Sequence, residues 1–172
     1  MSKPALSEAE GTARFASRGP GETRRLGARL GRLLRPGDTV LLSGDLGAGK
    51  TVFVQGIARG MGFQGSVSSK SFVLMGEYQG REFKLYHADL YRLEAPEQAE
   101  ELAMEEYCED GALVAEWPER APHVFAPDSL RVRFEVTGER TRGLILEAGG
   151  VRARELVERL IADAAPVRSR RR

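Results

Sequence analysis

The chain has 172 residues, is 41% hydrophobic, and balances 26 basic against 25 acidic residues for a formal charge of +1. That composition suits one compact domain. It excludes a global field that would draw the protein onto nucleic acid or a membrane.

The first 19 residues are small and polar, without periodicity, and are expected to be a flexible arm. They hold no apolar signal segment, and no window of the chain approaches the roughly 18 apolar residues of a membrane span. Residues 22–34 place Leu26, Leu30, Leu33 and Leu34 on one helical stripe, which "RPGD" then breaks. Residues 39–42 are a short apolar run, expected to be a buried strand. A glycine-rich loop follows at 44–49, then a helix over 50–61. "FVLMGEY" (72–78) and "EFKLYHA" (82–88) flank "QGR" and predict a β-hairpin. Residues 96–107 are acidic and partly helical. The single cysteine, Cys108, leaves no intrachain disulfide, fits a reducing compartment, and has no second thiol beside it for a metal site. Its expected role is structural and the expected location of the protein is cytoplasmic.

"ALVAE" (112–116) is an apolar strand that ends in a carboxylate. "LRVRFEV" and "RGLILEA" alternate around "TGERT" and predict a second hairpin. Residues 151–164 carry Val151, Leu156, Leu160 and Ile161 at helical spacing. The last residues, "RSRRR", make a basic tail over 165–172. It reads as a solvated end or as a contact for RNA or an acidic partner.

The stretch "GDLGAGKT" sets Gly44, Gly49, Lys50 and Thr51 in the order G-x-x-x-x-G-K-T, between a predicted strand and a predicted helix. This is a phosphate clamp. Successive N–H groups of Gly44, Asp45, Leu46, Gly47, Ala48 and Gly49 can point into one concavity. The helix behind them presents its positive end to the same anion. Lys50 then reaches the β- and γ-phosphates, and the Thr51 hydroxyl ligates Mg²⁺. The expected fold is therefore α/β, a P-loop NTPase-like domain over residues 20–164 with a mixed β-sheet flanked by helices.

Such a clamp needs a metal partner and a group that orients the attacker. Asp89 and Glu116 each end an apolar run, where a strand's carboxyl end faces the phosphate edge of an open sheet. Either can hold Mg²⁺, directly or through water; either can instead cap a turn or pair with Arg92. His87 shares the face of Asp89 and is read as a packing residue. Trp117 can pack near the nucleotide or in the core. None of the four lysines lies in an N-K-x-D or T-K-x-D box, so ATP is favoured over GTP.

Taken together, "GDLGAGKTVFVQGIARGMG", "VSSKSFVLMGEY", "LYHADLYRL", "EEY" and "VAEWPER" resemble the TsaE (YjeE) family, over about residues 22–150. Those proteins are bacterial P-loop ATPases needed for threonylcarbamoyladenosine (t6A) in transfer RNA. The resemblance implies that Thr51 and Glu116 hold Mg²⁺ and that Asp89 is a catalytic acid. It implies that the loop Ser69-Lys70-Ser71-Phe72 is a switch near the γ-phosphate, with Ser71 supplying its hydroxyl. Thr23 and Arg142 fall where the family has a threonine and an arginine close to the nucleotide. The implied ligands are ATP or ADP with Mg²⁺. The implied partners are the TsaD and TsaB proteins, with tRNA reached only through their complex. One departure stands out: Lys70 and Ser71 replace the family's proline and threonine, which removes a rigid residue from the switch.

Two further readings share the clamp. A small-molecule or nucleoside kinase would use Asp89 as base toward an acceptor hydroxyl, yet no long insert is present to form a lid. A nucleotide-gated binding module would bind without hydrolysis.

Overall fold

The computed structural model describes residues 11–67 and 74–164. The elements, in chain order, are β1 (Thr12–Ser17), α1 (Pro20–Gly31), β2 (Thr39–Ser43), α2 (Lys50–Gly60), β3 (Met75–Gln79), β4 (Lys84–Asp89), α3 (Glu97–Glu101), α4 (Met104–Tyr107), β5 (Gly111–Glu116), β6 (Leu130–Val136), β7 (Arg142–Ala148) and α5 (Val151–Ala164).

The strands form one seven-stranded sheet in the order β1-β7-β6-β2-β5-β4-β3. Its centre, β6-β2-β5-β4, is parallel, and both margins are closed by antiparallel pairs. The mixed sheet with flanking helices matches the expected fold class.

Burial explains the sequence pattern strand by strand. β5 is buried at all six positions, and β2 at four of five. Val40, Leu42, Ala112 and Val114 face a core shared with α1, α2 and α5; Leu41, Leu113 and Ala115 face a second core under α3 and α4. A parallel strand covered on both sides reads as an unbroken apolar run. In β6, by contrast, Leu130, Val132 and Phe134 point into the first core while Arg131 and Arg133 are exposed, so its sequence alternates.

Within the flexible arm expected over residues 1–19, residues 12–17 are instead the strand β1, and residues 1–10 lie outside the described residues. Thr12–Ser17 pairs antiparallel with β7, in a register from Thr12↔Glu147 to Ser17↔Arg142. Ala13 and Phe15 enter the core. The strand's pattern is only two apolar residues long, and its partner lies some 130 positions away. α1 also begins earlier than expected, because Pro20 occupies its first turn rather than breaking it. The helix ends at Gly31, and Leu33 and Leu34 pack into the core from the turn beyond.

α1 and α2 lie against each other through glycines spaced four apart, Gly27 and Gly31 on one helix, Gly56 and Gly60 on the other. A Cβ at Gly27 would collide with the Phe53 carbonyl, at Gly31 with that of Ile57, at Gly56 with that of Arg24, and at Gly60 with that of Ala28. Backbone cannot yield as a side chain can. Gly56→Ala is therefore expected to destabilise the protein by about 1–3 kcal/mol through overpacking, despite alanine's better helix propensity. At roughly 2–4 °C per kcal/mol for a chain of this size, thermal unfolding followed by circular dichroism should show the loss. An unchanged midpoint would mean that the two helices separate without cost.

Cys108 sits between Thr39 Oγ1 at 3.6 Å and the Met104 carbonyl at 3.7 Å. Burial pushes its thiol pKa up, as for an inert packing residue. Among the described residues no helix is long and apolar enough to cross a membrane.

Candidate functional site

The carboxyl ends of β2, β5 and β4 open on one edge of the sheet, and the chain leaves β2 there into the glycine-rich loop. Two of the glycines are demanded by geometry. Gly44 has φ +136°, and a Cβ on it would strike the backbone of Phe134 in β6. Gly49 has φ +106° and forms the left-handed N-cap of α2 without any side-chain cap. The amides of the helix's first turn are thus left for a ligand. Asp45, Leu46 and Gly47 are exposed, whereas Ala48 is buried.

Lys50 is 4% exposed. Its ammonium donates to the carbonyls of Gly44 and Asp45, the latter at 2.9 Å. The same Nζ lies 4.1 Å from the centroid of the Trp117 ring, a cation–π contact. Burial pulls the Lys50 pKa down, and the charges of Glu116, Glu119, Asp89 and Asp45 work against that pull. Trp117 holds its place with a left-handed backbone, φ +59°, and its ring lies 4.9 Å from that of Tyr91 at a 45° tilt. Arg120 lies over the Tyr91 ring, 5.9 Å from its centroid.

The two acidic candidates meet across the sheet. Asp89 and Glu116 are register partners on β4 and β5. Thr51 Oγ1 donates to Glu116 Oε1 at 3.0 Å. The same oxygen lies 3.0 Å from His87 Nε2, and His87 and Glu116 are both buried. With a neutral ring, Nε2–H is the donor and Glu116 Oε1 accepts twice. Asp89 Oδ1 accepts from the Tyr91 amide at 3.1 Å. Among the described residues no three His, Cys, Asp or Glu side chains gather into a metal cage. The edge offers instead the Thr51 hydroxyl and the carboxylates of Glu116 and Asp89, all hard oxygen donors. That set fits a Mg²⁺ bound chiefly by phosphate and water.

Arg142, at the start of β7, donates from Nε to the Ala48 carbonyl at 3.0 Å and from Nη1 to the carbonyls of Gly138 and Thr141. It ties the β6–β7 turn to the loop. Thr23 stands one step behind. It is buried, its hydroxyl 2.8 Å from Ser17 Oγ, and Ser17 is the ladder partner of Arg142. The structure therefore brings Lys50, Thr51, Asp89, Glu116, Trp117 and Arg142 to one edge and sets Thr23 behind it. Ser71 and the loop Ser69-Lys70-Ser71-Phe72 lie outside the described residues.

His87 is what sequence reasoning missed. The H-x-D spacing did put His87 on the face of Asp89. Its contact with Glu116 follows from the β4–β5 register, in which Val114 lies opposite His87 and Glu116 is the next residue on that face.

A central parallel sheet, a G-x-x-x-x-G-K-T loop running from a strand into a helix, and carboxylates at neighbouring strand ends define a P-loop NTPase-like protein. The chain belongs to the family described as "Threonylcarbamoyl adenosine biosynthesis protein TsaE", whose model matches residues 17–144. The tRNA threonylcarbamoyladenosine biosynthesis protein TsaE of Bacillus subtilis is 34% identical over 142 residues, 82% of this chain and 89% of that one. The protein of the same name from Rickettsia felis is 40% identical over 122 residues, 70% and 71% of the two chains. The crystal structure of B. subtilis YdiB superposes with a TM-score of 0.77 at 28% identity, covering 92% of this chain and 100% of that one.

Proposed function

We propose that this protein is an accessory ATPase of tRNA t6A modification, cytoplasmic, which hydrolyses ATP to drive or reset a TsaB–TsaD complex. The observation that carries the reading is the convergence of Thr51 and Glu116, 3.0 Å apart, at the head of the P-loop helix and beside Asp89. In it the loop amides and Lys50 bind the phosphates of ATP or ADP. Thr51 and Glu116 hold Mg²⁺, which on binding neutralises charge that builds on the phosphates. Asp89, less buried than Glu116, orients the attacking water. Arg142 fixes the loop from behind, and Thr23 supports that contact through Ser17. Trp117 covers the lysine side of the site. Ser71 serves as the switch hydroxyl. tRNA is reached indirectly, through the partners.

The reading is tested by phosphate release from ATP and Mg²⁺, with and without TsaB and TsaD. Hydrolysis should be slow alone and rise by an order of magnitude or more with the partners, since a group supplied in trans is worth about 10³–10⁵ in related phosphoryl transfers. Full activity alone, unaltered by the partners, would remove the accessory role. A phosphorylated small molecule as product would favour a kinase, and absence of turnover under every condition a binding module.

A further inference from the structure

The outer faces of α1 and α2 enclose a cleft of about 310 Å³, lined by Arg24, Gln55, Arg59, Phe63, Gln64 and the turn that ends at Val67. The glycine contact between the helices creates it. Gly56 packs on the Arg24 backbone, so the Arg24 side chain emerges beside those of Gln55 and Arg59. Arg24 donates to Gln55 Oε1 at 3.3 Å, and Gln55 Nε2 donates to the Val67 carbonyl at 3.2 Å. One guanidinium is thereby held half-buried and aimed, while Arg59 stands exposed at the rim. Among the described residues no carboxylate lines the cleft. Neither arginine is ion-paired with a described residue, whereas Arg25, Lys84, Arg152 and Arg159 each are.

Two forked donors facing an acid-free cleft recognise an oxyanion. The size and setting narrow its source. An RNA strand needs a basic track several phosphates long, and its affinity grows with the number neutralised. This cleft holds two cations, in a chain of net charge +1. Its floor and wall mix arginine and glutamine with the apolar Phe63 and Val67, as at the centre of a protein interface, where arginine is a frequent anchor.

We infer that the Arg24–Arg59 cleft is the docking site for a carboxylate side chain of the protein partner, and thus a second point of engagement distinct from the nucleotide edge. The inference rests on the functional reading above. It also gives that reading a route of communication. Gln55 lies one helical turn beyond Thr51, so a carboxylate that grips Arg24 and Arg59 bears on the helix whose first turn binds phosphate.

The test measures the affinity of the full chain for reconstituted TsaB–TsaD by calorimetry, at low and high salt, with ADP affinity and thermal midpoint as controls. Arg59→Glu is the first variant. The doubly neutral Arg24→Gln, Arg59→Gln variant is the second, and it separates loss of the two cations from repulsion by a new acid. Both should bind the partners at least about tenfold more weakly, lose most of the salt dependence, and keep wild-type ADP affinity. Arg59→Lys should retain part of the binding. Affinity within twofold of wild type for both variants would overturn the inference. So would a loss confined to direct binding of tRNA, which would assign the cleft to phosphates. If the wild type itself does not bind TsaB–TsaD, the functional reading falls and takes this inference with it.

Discussion

Lys50→Ala is expected to weaken ATP and ADP binding by at least about tenfold, and to leave hydrolysis undetectable at ATP concentrations that saturate the wild type. Lys50 stands at the loop concavity, already bonded to the carbonyls of Gly44 and Asp45 that frame it. A hydrogen bond to a charged group contributes roughly 1.5–3 kcal/mol, and about 1.4 kcal/mol is a factor of ten in affinity. The loss should exceed one bond's worth. Lys50 also joins the two ends of the loop turn to the Trp117 ring, 4.1 Å away, so alanine loosens both. Trp117 is the only tryptophan of the chain, and its fluorescence serves as the readout. In the wild type, nucleotide that draws Lys50 toward phosphate changes the cation–π contact and the emission with it. In the alanine variant the basal emission should differ, and nucleotide should shift it only at much higher concentration. Calorimetric affinity equal to the wild type's would refute the clamp assignment.

The features legible from sequence were those whose cause is local. The loop's glycines, the doubly covered apolar run of β5 and the alternation of β6 each follow from a few consecutive residues and one rule of geometry; β7, expected to alternate as well, instead buries Leu144, Ile145 and Leu146 in a row, because it lies between β1 and β6 with both faces covered there. The site's carboxylates were legible for the same reason, because Asp89 and Glu116 end their strands. What escaped depends on partners far along the chain. β1 takes its identity from β7, and Thr12–Ser17 alone has too short a pattern to announce a strand. The four interface glycines form two short G-x-x-x-G repeats, but only the packed helices show that they face each other. His87 becomes part of the site through the β4–β5 register. The Arg24–Arg59 cleft likewise exists only once α1 and α2 are in contact.

Asp89 and Glu116 should separate in their effects, and the choice of substitution decides whether the separation can be seen. Glu116 Oε1 is the acceptor for both Thr51 and His87. Glu116→Ala would leave a half-buried hydroxyl and a buried ring nitrogen without that acceptor, at about 1–3 kcal/mol for the buried one. Instability would then masquerade as a binding defect. Glu116→Gln keeps a carbonyl oxygen in the same place, able to accept from both, while it removes the charge and turns the second oxygen into an amide donor. This variant should fold with a near-wild-type midpoint yet need several-fold more Mg²⁺ for tight nucleotide binding. The comparison is ADP affinity measured across a Mg²⁺ titration. Asp89 is half-exposed and accepts from the Tyr91 amide, so Asp89→Asn keeps the local turn. If Asp89 orients water, turnover should fall by about 10²-fold or more, the scale of a positioned acid–base group, with ATP affinity and Mg²⁺ requirement little changed. Should both variants lose only thermal stability, with turnover and metal dependence intact, the two acids are structural and the reacting centre lies elsewhere. If Glu116→Gln lowers turnover without altering the Mg²⁺ requirement, and Asp89→Asn does the reverse, the two roles are exchanged between neighbouring strands.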